Sequence, residues 1–325
     1  MTVLILTFAV AAALTWWLVS DRSPFAILDH PNERSLHARP LPRSGGIAVL
    51  MAIVVGWGWL LVWHGMPPHL IWVIVAAIAV AAISLLDDLF ELPARARLPV
   101  HMLAAALVLL DGVALPWGWP GRIISLLAIV WMLNLYNFMD GMDGFAGGMA
   151  LIGFGCLGAA GWLAGSQVFA LYCGVISVSA LGFLPYNFPP ARIFMGDVGS
   201  TTLGLLAAAL SLWGFGLHIY PLWFPLLVFS PFIIDATVTL VRRGLRGERV
   251  WQAHREHYYQ RLVQAGWGHR KTVLIEYALM ISAGSSGMWT LAHRDWLPVM
   301  LTGWALAYVL LILLAEKQCG PVDGR

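Results

Sequence analysis

Charge is scarce in this sequence. Only 11% of its 325 residues are Asp, Glu, Lys or Arg and 60% are hydrophobic, whereas a soluble domain carries about 25% charged and about 45–50% apolar residues. The deficit excludes an ordinary soluble globular chain and leaves a membrane protein. A strong net charge is missing too. The balance is +2, so no global basic field argues for nucleic acid. The three cysteines, Cys156, Cys173 and Cys319, form no CxxC pair, which excludes a disulfide framework and a zinc site. The first twenty residues, MTVLILTFAVAAALTWWLVS, lack a basic leading segment and an A-x-A site. They read as a transmembrane helix and not as a cleaved signal.

Long apolar runs are what the chain does have. A spanning helix needs about 20 predominantly apolar residues. Such runs, about eleven in all, fall at 1–20, 45–64, 69–86, 98–115, 121–138, 144–164, 167–185, 199–217, 220–241, 273–292 and 296–315. The expected fold is an all-α polytopic membrane protein, with residues 1–325 as one integral-membrane domain. Glycines at close spacing, such as Gly153, Gly155, Gly158 and Gly161, suit tight helix approach. Placing the 21–44 connection on one side puts 87–97, 139–143, 186–198, 242–272 and the C-terminus there too. Every Lys and Arg except Arg122 and Arg294 then lies on that side. The positive-inside bias makes it cytoplasmic, with the N-terminus outside and the C-terminus inside.

The polar residues that are hardest to explain by packing gather on the same side. Asp87 and Asp88 stand in SLLDDLFELPARARLP, Asp140 and Asp143 in NFMDGMDGFAGG, and Asn187 and Asp197 in YNFPPARIFMGDVGSTTLG. His254, Arg255 and His257 stand in WQAHREHYYQRL, and His37, Arg39 and Arg43 in RSLHARPLPRSGG. Each has a bland alternative. A carboxylate at a helix end is often solvated interface, DGMDG suits a tight turn, and two histidines three apart are weak ground for a metal site. Taken together they argue otherwise, because a charge at the bilayer centre costs about 3 kcal/mol. Five aspartates on one membrane face, three of them beside glycine, suggest a divalent cation. Mg²⁺ uses one or two carboxylates plus substrate phosphates. With basic residues and a membrane, the combination points to phosphoryl transfer to or from a lipid.

In their order along the chain, these motifs resemble those of the polyprenyl-phosphate N-acetylhexosamine-1-phosphate transferase superfamily. HREHYYQRL in place of a triple histidine looks more like the O-antigen-initiating branch than the phospho-MurNAc-pentapeptide translocase of peptidoglycan synthesis, which is the alternative. The resemblance implies a bacterial plasma-membrane enzyme with its active site facing the cytoplasm. It would move an N-acetylhexosamine-1-phosphate from a UDP-sugar to undecaprenyl phosphate, using Mg²⁺ (or Mn²⁺), with homodimers known among relatives. It also implies roles. Asp197 would ligate the metal and Phe194 would stack on uracil. Asp143 would sit near the uracil, with Asp140 beside it and Asn137 opening the motif. Asn187 would be the active-site asparagine. Asp87 and Asp88 would act on the lipid phosphate, and His254 and His257 would contact the pyrophosphate. Arg255, His37 and Arg43 are further basic candidates. An ion-coupled transporter is a remote rival. It would use Asp111 and Asp235, for which interface or structural roles are expected.

Overall fold

The computed structural model describes residues 1–20, 27–29, 36, 40–67, 69–110, 112–250, 252 and 254–320. His37, Arg39 and Asp111 lie outside this set. The chain is a helical bundle. Helices α1 (Thr2–Val19), α2 (Gly45–His64), α3 (Ile71–Phe90) and α4 (Ala94–Leu110) are followed by α5 (Gly118–Phe138), α6 (Phe145–Leu163), α7 (Gln167–Asn187) and α8 (Gly196–Gly216). Then come α9 (Trp223–Val228), α10 (Ser230–Leu245), α11 (Tyr258–Leu262), α12 (Gly268–Ala292) and α13 (Leu297–Cys319). Two two-residue strands, β1 (Leu28–Asp29) and β2 (Leu41–Pro42), pair antiparallel, with Leu28 opposite Pro42.

A helix therefore covers each expected span, but only eight helices among the described residues are long and apolar enough to cross a membrane. They are α1, α2, α3, α5, α6, α7, α8 and α13, the last extended by the short turn Arg294–Trp296. The other three depart for identifiable reasons. Helix α4 starts four residues before the expected 98 and takes Arg95 and Arg97 into its first turn. The ninth run breaks at Phe229 (φ −92°, ψ 6°), with Pro231 at the start of α10, where a missing N–H is tolerated. Helix α12 opens on the polar stretch GHRKT before its apolar part begins.

Helix α8 is the axis of the bundle, buried almost continuously from Val198 to Gly214. By contrast, α13 is peripheral, with only Ala315 buried. Small residues set the close contacts, as expected of membrane helices. A Cβ at Gly161 of α6 would stand 2.6 Å from the Phe169 ring of α7. Backbone meets backbone between the start of α2 and the start of α8. A Cβ on Gly46 would lie 2.3 Å from the Gly199 nitrogen and 2.7 Å from the Met195 carbonyl. Neither obstacle is a flexible side chain.

That contact can be tested. Gly46→Ala should lower the thermal midpoint in detergent, since overpacking costs about 1–3 kcal/mol. Gly58→Ala in the same helix, where a Cβ would meet nothing within 4 Å, should leave it unchanged. Equal melts for both variants would show that α2 and α8 are not in register at Gly46.

Candidate active site

The first N–H groups of a helix have no partner within it and favour an anion. At the start of α8 that anion is Asp88, from the last turn of α3. Its carboxylate accepts the N–H of Val198 at 3.3 Å and of Asp197 at 3.5 Å. Arg43 faces the same carboxylate at 3.6 Å, donates to the Asp88 main-chain carbonyl and lies 3.9 Å from Asp29. The glycine pair after the basic segment explains how Arg43 gets there. The N–H groups of Gly45 and Gly46 donate to the Phe194 and Met195 carbonyls at 2.9 and 2.7 Å, and Phe194 N–H donates to the Pro42 carbonyl at 2.7 Å.

Arg97 joins the remaining carboxylates. Its Nη1 donates to Asp87 and to Asp197 Oδ2, the latter at 3.2 Å. The sequence signal for Arg97 was weak. ARAR after the aspartate pair reads as positive-inside charge, and nothing in the pattern says that α4 turns it back toward Asp87. The acidic cluster thus carries two built-in counter-ions.

NFMDGMDG is a turn and a wall at once. Asp140 N–H bonds the Asn137 carbonyl at 3.1 Å, which closes the turn. Two tyrosines pin the loop from outside. Tyr259 donates to the Phe138 carbonyl at 2.9 Å and accepts from Gly141 N–H at 3.1 Å, while Tyr277 donates to the Gly144 carbonyl at 2.6 Å. Asn137 reaches Ser200 of α8 at 3.1 Å. Asn187 ties two motifs together: it accepts from Gly144 N–H and donates to the Ile193 carbonyl, both at 2.9 Å.

A cleft of about 310 Å³ results. Of the residues singled out in the sequence, Arg43, Asp88, Asn137, Asp140, Phe194, Asp197 and His254 line it, joined by Asp29, Tyr259 and Gln260. Others stand outside its lining. Asp87 sits behind, paired with Arg97. Asp143 accepts Ala191 N–H and meets His269 Nδ1, each at 2.9 Å. Asn187 is buried in its two bonds. His257 is 3% exposed and lies behind His254, their rings 4.8 Å apart. Arg255 is exposed.

Electrostatics inside the cleft follow from crowding. Burial, then the charges of Asp197, Asp88 and Asp29, push the Asp140 carboxyl well above its ordinary range. Burial, reinforced by His257 and Arg243, holds His254 down to about 3, so its imidazole is neutral at neutral pH and serves as a hydrogen-bonding group. Among the described residues no three His, Cys, Asp or Glu side chains form a ready-made metal cage. The donors fit Mg²⁺ nonetheless, because Asp140 and Asp197 present hard oxygens to one cleft and Mg²⁺ takes only one or two carboxylates beside phosphate oxygens.

The raised Asp140 carboxyl has a consequence for stability. In the fold it keeps its proton to higher pH than in the unfolded chain, so stability falls as pH rises above about 4. Asp140→Asn should therefore melt at a higher temperature than the unsubstituted protein at pH 7 in EDTA, and the gap should close toward pH 4. A lower midpoint for the variant at pH 7 would contradict this electrostatic picture.

Residues 70–215, which hold α3 through α8, match the profile of glycosyl transferase family 4. The chain is 32% identical to the decaprenyl-phosphate N-acetylglucosaminephosphotransferase of Mycobacterium tuberculosis, over 87% of this chain and 81% of that protein. It is 26% identical to the undecaprenyl-phosphate alpha-N-acetylglucosaminyl 1-phosphate transferase of Yersinia pestis, over 87% and 82%. A phospho-N-acetylmuramoyl-pentapeptide-transferase of Staphylococcus aureus is 31% identical, but over only 56% and 55%. With eight membrane-length helices and a carboxylate cleft built from the expected motifs, the chain is a multi-pass membrane protein that belongs to the polyprenyl-phosphate N-acetylhexosamine-1-phosphate transferase superfamily.

Proposed function

We propose that this protein transfers an N-acetylhexosamine-1-phosphate, in the first instance GlcNAc-1-phosphate, from a UDP-sugar to undecaprenyl phosphate or a similar polyprenyl phosphate, with release of UMP. The observation that carries the reading is the juxtaposition of two cavities of opposite character. The carboxylate and arginine cleft lies beside an apolar groove of about 560 Å³ between α2, α3 and α8, which Leu85 and Val198 line close in sequence to Asp88 and Asp197 of the cleft. Val198 links them: it lines the groove, while its N–H holds Asp88 and its neighbour Asp197 lines the cleft. A charged head and an apolar tail on one acceptor suit that juxtaposition. The names of the two long-coverage relatives, both acting on polyprenyl phosphates, support the same substrate class.

In this reading the chain crosses a bacterial plasma membrane about eleven times, with the cleft in the cytoplasm, and initiates a lipid-linked glycan such as O-antigen. Exposed faces such as that of α13 are available to a second copy. Asp197 and Asp140 would hold Mg²⁺ or Mn²⁺, which would neutralise diphosphate charge. Phe194 offers its ring to uracil, and His254 and Gln260 offer hydrogen bonds to the diphosphate. Arg97 and Arg43 meet the phosphate charge. An oxygen of the lipid phosphate attacks the sugar-bearing phosphorus, and the bond to the UMP oxygen breaks. A phosphate monoester is largely dianionic at pH 7, so no strong base is needed. Asp87 and Asp88 are already engaged with Arg97, Arg43 and backbone N–H groups, which favours a positioning role for both.

The partial likeness to pentapeptide transferases keeps that substrate as a second reading. The test is UMP release by the purified protein with undecaprenyl phosphate, Mg²⁺, and either UDP-GlcNAc or UDP-MurNAc-pentapeptide. UDP-GlcNAc should be the better donor. Asp197→Asn should retain less than about a tenth of the turnover, a loss above about 1.4 kcal/mol. Phe194→Ala should raise KM more than it lowers kcat, because stacking is shared by ground and transition states. Exclusive use of the pentapeptide donor, or a fully active Asp197→Asn, would overturn the assignment.

A further inference from the structure

We propose that Asp235, which lies outside the cleft, is the positioning residue that sets two of its walls. Resting on the transferase reading, the proposal assigns a role to a buried carboxylate that the reaction does not otherwise use. Asp235 lies six residues into α10 and is 8% exposed. A carboxylate in an apolar helix is costly unless hydrogen-bonded, and its partners are specific. Oδ1 accepts Tyr258 N–H at 2.9 Å, Oδ2 accepts Tyr259 N–H at 3.0 Å, and Thr239 donates to Oδ1 at 3.2 Å. His257 Nδ1 stands 3.3 Å from Oδ1. Three of these four partners belong to the HREHYYQRL segment.

That segment depends on outside anchors. Helix α11 has five residues, too few to be stable alone. It has a capping box between His257 and Gln260, of which the bond from His257 N–H to Gln260 Oε1 is a long 3.3 Å. Bonds donated by the first N–H groups to a charged acceptor are the strong ones available. They fix the backbone of Tyr259, and Tyr259 carries the constraint across the cleft. Its hydroxyl bonds the Phe138 carbonyl and Gly141 N–H, on either side of Asp140. Asp235 thus holds His254, Tyr259 and Gln260 on one wall and, through Tyr259, the Asp140 loop on the other. Phe194 and Asn137, which also line the cleft, are fixed by other bonds. Loss of Asp235 should therefore disturb turnover more than donor binding.

The experiment uses the full-length protein in detergent. Amide hydrogen exchange needs no substrate, so it judges the anchor even if every UDP-sugar proves inert, an outcome that would overturn only the transferase reading. In the unsubstituted protein the Tyr258 and Tyr259 amides should be protected, and Asp235→Asn should expose them. With UDP-GlcNAc, Asp235→Asn should lower kcat at least tenfold while KM stays within threefold, and Asp235→Glu, which keeps the charge, should recover part of kcat. Unprotected amides in the unsubstituted protein would overturn the proposal, as would near-normal kcat in Asp235→Asn or a stably folded Asp235→Glu as inactive as Asp235→Asn. If Asp235→Asn does not fold, Tyr259→Phe cuts the second link and leaves Asp235 in place. It too should lower kcat, and normal kcat would overturn the proposal.

Discussion

A carboxylate at the mouth of a central helix organises the cytoplasm-facing end proposed for this molecule. Asp88 answers the unpaired N–H groups at the start of α8, and helix geometry makes an anion there favourable. Because Asp88 comes from α3, the bond fixes α3 against α8. Because Arg43 joins it, the segment leading into α2 is drawn in as well, and Gly46 allows the backbone of α2 to come within reach of Gly199. The approach of α2, α3 and α8 leaves the polar cleft on one side of this knot and the apolar groove on the other.

Crowding like charges in such a place is destabilising unless cations intervene. Arg43 and Arg97 intervene from within the chain, yet burial and then the neighbouring carboxylates still push the Asp140 carboxyl upward. Such strain between fold and charge is common where function demands it. Arg97 touches both Asp87 and Asp197, so the site is a set of carboxylates bridged by positive charge, the pattern that a cation and phosphate oxygens would extend.

Much of this was legible in the sequence. Apolar runs of the right length gave the helices, and the acidic motifs gave most of the cleft: Asp88, Asn137, Asp140, Phe194 and Asp197 all line it. What escaped depended on three-dimensional return paths. Arg97 is ten residues from Asp87 on the following helix, and only the turn between α3 and α4 makes them partners. The sequence marks Asp235 as an interface or structural residue but not which segment it holds, because its partners are backbone N–H groups more than twenty residues away. Asp143, Asn187 and His257 were read as site residues from their motifs, yet each is bonded into the layer behind the cleft. A motif marks a neighbourhood, while hydrogen bonding decides which side chain faces inward.

The central claim is that this neighbourhood gathers a divalent cation and a nucleoside diphosphate together. It is tested most directly by titrating the purified protein with Mn²⁺ and following the free ion by electron paramagnetic resonance, with and without UDP. A site that supplies only one or two carboxylates should bind the ion weakly alone and at least tenfold more tightly with UDP, and by linkage the ion should tighten UDP binding equally. Mn²⁺ affinity that is the same with and without UDP, or no binding in either case, would contradict the account.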